Sequence, residues 1–200
     1  MVTWSKCMWS SIPNKTPFKL HKRRRSAMSN QWLKYGIKVV LILLIQVLIF
    51  QRMVFGWGGV NYVQIFIYPI LIMGLPIKSR SSLVVALGFL IGLVVDIFYM
   101  SPGVHAGALT LTAFLRAPVL AFLEPRTGYN VDVVPSKFYL GLNWYLSYAG
   151  ILLFIHIFTY YTLEIFTFVF FLEIWMKTLF TLVFTLIFAV MYQFLLDPKS

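Results

Sequence analysis

Asp96 is a carboxylate set near the end of an apolar run from Ser82 to Met100, and His105 opens the next run nine residues later. A charge inside a membrane-length apolar run costs roughly 2.5 kcal/mol or more unless it faces protein. These two residues are therefore the first place to look for chemistry. Gly88, Gly92 and Asp96 follow at intervals of four, so they share one helix face. Gly88-Phe89-Leu90-Ile91-Gly92 is a GxxxG pattern, which admits a neighbouring helix closely. A carboxylate that continues the small-residue stripe points this face at protein.

Ser101-Pro102-Gly103 separates the two runs by a tight turn. The turn brings the helices back antiparallel, with Asp96 and His105 at similar depth and joined by a hydrogen bond. Arg116 lies about three turns below His105 on the same face. It is expected to sit too deep for Asp96 and to extend its guanidinium to the cytoplasmic headgroups. Three roles are open for the Asp96/His105 pair: a pin for the helical hairpin, a step in a substrate or proton path, or a docking point for a partner.

Other polar residues read as structural. Glu173 and Lys177 form an i, i+4 pair in the favoured order. His156 reads as a hydrogen-bonded packing residue, and three His in total give no zinc cluster. Gln46 and Gln51 can hydrogen-bond between helices. The single cysteine, Cys7, excludes an intrachain disulfide. No phosphate loop, G-x-S-x-G elbow or H-E-x-x-H motif occurs. No dense acidic cluster offers a divalent metal site. The chain therefore reads as a non-enzyme with no cofactor and no metal.

The elements that position these residues are apolar helices. The 200 residues are 60% hydrophobic and 12% charged, with mean hydropathy +0.83, whereas soluble domains carry about 25% charged residues. Six runs meet or approach the roughly 20 residues that cross a bilayer: 34–55, 60–75, 82–100, 104–122, 138–160 and a last stretch ending at 196 and starting near 168. They are continuous rather than alternating, which excludes barrel strands. The expectation is an all-α integral membrane protein with one domain over residues 34–197. Nine basic residues and no acid lie between Lys6 and Lys38. Residues 1–33 read as a disordered basic tail, with Met28 an alternative start. Nucleic-acid binding is the competing reading of Lys22-Arg23-Arg24-Arg25, but no folded domain accompanies the run, so lipid headgroups are the expected partner. The Lys and Arg positions place both termini in the cytoplasm.

Gly92-Leu93-Val94-Val95-Asp96, followed by Ser101-Pro102-Gly103-Val104-His105-Ala106, resembles the rod shape-determining protein MreD family. Leu115-Arg116-Ala117-Pro118 and Pro125-Arg126-Thr127-Gly128-Tyr129 look like one branch of it. The resemblance covers about residue 30 to the C-terminus; the basic tail is extra. It implies a bundle similar to the substrate-binding subunits (S-components) of energy-coupling-factor transporters. It also implies an inner-membrane scaffold of the bacterial elongation complex, acting with MreC and, indirectly, MreB, RodA and a class B penicillin-binding protein in lateral peptidoglycan synthesis and cell shape. The Gly88/Gly92/Asp96 face would then pack within the bundle or against MreC. The alternative is a vitamin-type uptake subunit of a transporter. Such a subunit needs a cavity with convergent polar groups, and few polar residues lie on the outer side.

Overall fold

Long apolar runs become helices because a helix satisfies its own backbone where water is absent. The computed structural model describes residues 35–52, 54–57, 60–126, 128–129, 134–166 and 171–196. The expected tail, with Cys7, the Lys22–Arg25 run and Met28, lies outside the described residues. In chain order the elements are α1 (Tyr35–Phe50), β1 (Val54–Trp57), β2 (Val60–Gln64), α2 (Pro69–Met73), α3 (Ser81–Tyr99), α4 (Val104–Phe122), α5 (Lys137–Leu140), α6 (Leu142–Ile165) and α7 (Phe171–Leu196). The last turn of α1, Gln46–Phe50, is a π-helix. The chain divides into two units, Met1–Val40 and Leu41–Ser200. The first is described only over its helical residues 35–40. The hairpin, its turn and the polar network around them all belong to the second.

The chain is mostly helical, and α3, α4, α6 and α7 are long and apolar enough to cross a membrane. α3 and α4 keep the expected limits to within a residue. α6 begins at Leu142 because Gly141, at φ 86°, breaks it from α5. It then runs on to Ile165, past the expected end at Tyr160. α3 exposes Phe89, Leu90, Leu93 and Ile97, and α7 exposes Val183, Phe184, Ile187 and Phe194. Such apolar exteriors suit lipid rather than water.

The run 60–75, expected as the second spanning helix, is a correction. β1 and β2 pair antiparallel, with Trp57 opposite Val60. Residues 65–67 are irregular, and α2 has only five residues. The first run also ends early, at Phe50, with β1 starting at Val54. The chain remains mostly helical, with one small β-hairpin in place of the start of that expected helix. The cause is local: aromatic and β-branched residues lie on either side of a glycine pair in the sequence, a composition that favours paired strands over one continuous helix. Pro69 then restarts a helix at its first turn, where a missing N–H costs nothing.

This segment is apolar because protein covers it. Phe66, Tyr68 and Ile72 are completely buried. Hydropathy records avoidance of water and does not distinguish a lipid exterior from a protein interior. Irregular backbone in such a place needs partners, since each unpaired buried group costs about 1–3 kcal/mol. Polar side chains from four helices supply them. Gln46 Nε2 donates to Ile65 O (3.0 Å), and Gln46 Oε1 accepts the Ile67 N–H (2.7 Å). Thr181 and Thr185 of α7 accept the N–H groups of Gln64 and Phe66, both at 3.4 Å. Tyr148 of α6 donates to Met73 O (3.1 Å), and Arg116 of α4 donates to Leu75 O and Pro76 O. The segment thus runs from the level of Tyr99, which Gln46 also bonds (2.9 Å), to the level of Arg116. It passes through the bundle as irregular backbone with one short helix.

Candidate functional site

The α3–α4 turn is built from its sequence. Val104 N–H bonds Ser101 O at 3.3 Å, which makes Pro102 and Gly103 the central turn residues. Proline suits the first of these positions, and the second requires a positive φ. Gly103 has φ 87° and ψ −10°. Gly103 is also the N-cap of α4 and has no side chain with which to bond the exposed amides.

Asp96 supplies that cap from the preceding helix. Its Oδ2 accepts the N–H groups of Gly103 (3.1 Å) and Ala106 (3.0 Å). Its Oδ1 accepts the N–H of His105 (2.9 Å), the His105 ring Nδ1 (3.0 Å) and the Ser101 hydroxyl (3.2 Å). His105 and Ala106 are the second and third residues of α4, the amides that an N-cap aspartate ordinarily bonds. A negative charge at this terminus also meets the positive end of the helix dipole. Asp96 is 3% exposed and His105 is fully buried.

The glycine stripe fits the same arrangement. A Cβ on Gly92 would lie 2.5 Å from Ala106 Cα and 2.8 Å from both Ala106 N and His105 O. A Cβ on Gly88 would lie 2.9 Å from the Ala113 Cβ. Gly88, Gly92 and Asp96 thus pack against α4 inside the bundle.

The histidine rings sit deeper than a surface pin requires. Nδ1 of His105 faces both Asp96 Oδ1 and Ser101 Oγ (2.9 Å), so the proton belongs on Nδ1. Nε2 is then an acceptor with no partner among the described residues. The rings of Tyr99 and Tyr160 lie 4.7 and 4.9 Å from the His105 ring, centre to centre, with Tyr68 at 5.9 Å. His156 forms a separate chain. Thr112 Oγ1 donates to Ala108 O (2.7 Å), so its oxygen accepts from His156 Nδ1 (3.2 Å). His156 Nε2 therefore accepts from the Tyr68 hydroxyl (2.7 Å). Both histidine rings act as hydrogen-bonded links.

Arg116 is a second correction. It is 3% exposed, and its guanidinium bonds buried protein oxygens instead of extending along the helix surface. Nε donates to Tyr148 Oη (3.1 Å), and Nη2 donates to Leu75 O and to Pro76 O (3.2 Å). The chain end of α2 presents carbonyls there, and a planar guanidinium can bond several at once.

Elsewhere, Lys177 and Glu173 pair at 2.7 Å, with Lys177 13% and Glu173 35% exposed. Gln51 Nε2 donates to Phe98 O (3.1 Å), tying the end of α1 to the end of α3. The sequence gives Ser101 a place in the turn but no bond to Asp96, and it does not single out Tyr68, Thr112, Tyr148, Thr181 or Thr185. The one available signal was the spacing of Thr178, Thr181 and Thr185, a hydroxyl stripe in an otherwise apolar helix. No group of three or more metal-ligating side chains occurs among the described residues. The arrangement can lock a hairpin and hold an irregular segment. No protein-family model, no curated protein and no solved structure matches the chain.

Proposed function

We propose that the chain is a non-enzymatic inner-membrane scaffold of the bacterial rod complex, supporting lateral peptidoglycan synthesis and cell shape through MreC. One observation carries this reading. The residues on which the sequence resembles the MreD family, Gly92, Asp96, Pro102, Gly103 and His105, converge on a single interlock. A motif consumed in holding two helices together suits a protein whose task is to present a surface. The chemistry would then belong to its partners. Both termini lie in the cytoplasm in this proposal, with the irregular segment 63–76 as the second of six passes. The likeness to transporter substrate-binding subunits belongs to the same proposal.

Because the glycine face is filled by α4, the surface offered to MreC is a lipid-side one, such as Phe89, Leu93 and Ile97 of α3. The test is depletion in a rod-shaped host, with affinity purification of the full chain from membranes. Rounded cells and recovered MreC support the scaffold. Normal shape, with a tightly bound vitamin and a nutrient requirement, would favour the uptake reading and end the proposal.

A further inference from the structure

At the end of the hairpin remote from Asp96, α3 begins and α4 ends around a cavity of about 200 Å³. Ser79, Ser81, Arg116, Glu124 and Tyr129 are among its walls. A water molecule takes roughly 30 Å³, so the space holds a group several times that size.

Arg116 is nine-tenths buried and lines this cavity. Its bonded partners are all neutral oxygens: the Tyr148 hydroxyl and the Leu75 and Pro76 carbonyls. Among the described residues, no carboxylate stands within ion-pair distance of it. Its Nη1 has no hydrogen-bond partner there either. A buried cation left without a counter-charge costs several kcal/mol on the order of magnitude, and an anion offsets that cost.

The start of α3 forms another part of the wall. Its cap residue, Arg80, makes no side-chain cap bond; the Leu83 amide bonds Arg80 O (3.0 Å), which leaves the Ser81 and Ser82 amides without an acceptor in their own helix. Those amides and the helix dipole favour an oxyanion. Lys78 and Arg80, both exposed in the preceding loop, add positive charge. Among the described residues that line the cavity, Glu124 carries the one opposing charge. The Tyr129 hydroxyl lines the cavity but already donates to Leu120 O (2.7 Å), so it supplies no proton to a ligand there.

We infer that this cavity binds a phosphate-class oxyanion, supplied either by a phospholipid headgroup at the membrane surface or by free phosphate. The guanidinium Nη1, the α3 amides and the serine hydroxyls are the donors, an arrangement that suits tetrahedral oxyanions. The inference stands apart from the scaffold reading and survives its failure.

The full chain is purified in uncharged detergent. Its melting temperature is measured with inorganic phosphate against chloride at matched ionic strength. In parallel, it is placed in nanodiscs of phosphatidylcholine with and without phosphatidylglycerol, and retained lipid is counted by native mass spectrometry. A phosphate-dependent rise in melting temperature identifies the free ion. Selective retention of phosphatidylglycerol identifies the headgroup. Either result supports the site when Ser81→Asp, which leaves the Arg116 bonds intact, weakens it by about tenfold, or about 1.4 kcal/mol. Glu124→Gln is expected to tighten binding by a few-fold. Arg116→Gln abolishes it, and Ser81→Asp keeps the result interpretable if that variant misfolds. No response to either source, or binding unchanged by Ser81→Asp, overturns the site.

Discussion

The Asp96 carboxylate of α3 accepts the backbone N–H of Ala106 in α4 at 3.0 Å. This bond crosses between helices and is made to main chain, so the identity of the Ala106 side chain does not matter to it. With the Gly103 and His105 amides, it makes the end of one helix the cap of the next.

That geometry orders the effects of substitution. Asp96→Ala removes every capping bond and strands buried amides, at a cost of about 3 kcal/mol. Asp96→Asn keeps one acceptor oxygen and loses part of that. His105→Ala removes one side-chain bond and costs less than Asp96→Ala, and a double-mutant cycle gives a coupling of about 1 kcal/mol. Equilibrium unfolding in detergent would measure all three variants. A coupling as large as the whole Asp96→Ala effect would mean that the ring, and not the backbone, is the true partner.

The two glycines of the stripe differ in what they touch. A Cβ on Gly88 would meet the Ala113 side chain first, at 2.9 Å, and then Leu109 O at 3.2 Å, whereas one on Gly92 would meet the backbone of His105 and Ala106 at 2.5–2.8 Å. A side-chain neighbour can be trimmed and a backbone neighbour cannot. Gly88→Ala is expected to lose about 1–2 kcal/mol and to be partly restored by Ala113→Gly, since the Leu109 O contact remains. Gly92→Ala is expected to lose more, and Ala106→Gly should not restore it. Thermal stability of the two single and two double variants decides the matter. Rescue at position 92 would show that the helices separate more easily than the close approach implies.

Gln46 is a third point of leverage. It holds one carbonyl and one amide of the irregular segment with its two amide ends. Gln46→Leu leaves both without that partner and should destabilise by roughly 2 kcal/mol. Gln46→Glu keeps an acceptor for the Ile67 N–H but turns a second oxygen on Ile65 O, so it should be no better than leucine. Hydrogen exchange of residues 63–67 reports the loss directly. Unchanged protection there in the leucine variant would mean that water replaces the side chain.

Much of the hairpin is legible in the sequence because its signals are local. Ser101-Pro102-Gly103 cannot continue a helix, and an interval of four aligns Gly88, Gly92 and Asp96. The role of Asp96 as a cap is less legible, since an N-cap residue normally precedes its helix immediately. Here Gly103 occupies that position and the carboxylate arrives from seven residues upstream. The fate of 60–75 is hidden for a different reason. An apolar residue is equally at home against lipid and against protein, so Phe66 and Ile72 carry no mark of which they meet. The mark lies elsewhere, in Gln46, Arg116, Thr181 and Thr185, which are polar because irregular backbone lies beside them. The position of Arg116 is obscured in the same way. With no acid near it, a lone cation in a span reads as a headgroup contact, while the carbonyl oxygens it bonds lie in the interior.

Arg116 can be tested without any ligand. Arg116→Lys keeps the charge but replaces a planar fork with a single ammonium on a flexible stem. It is expected to keep one of the contacts to Tyr148, Leu75 and Pro76 and to lose about 1–3 kcal/mol. Tyr148→Phe removes the donor to Met73 O and the acceptor of Arg116 Nε, at about 1 kcal/mol. Because the two side chains share one network, the double variant should cost less than the sum of the singles. The amides of Gly74 and Leu75, bonded to Ile70 O and Ile72 O at 2.8 and 3.3 Å, close the last turn beside these carbonyls. They should exchange hydrogen faster in Arg116→Lys than in the parent chain, while the amides of His105 and Ala106 at the other end of α4 stay as protected as before. Faster exchange at both ends would mean that Arg116 holds the whole bundle rather than the end of α2.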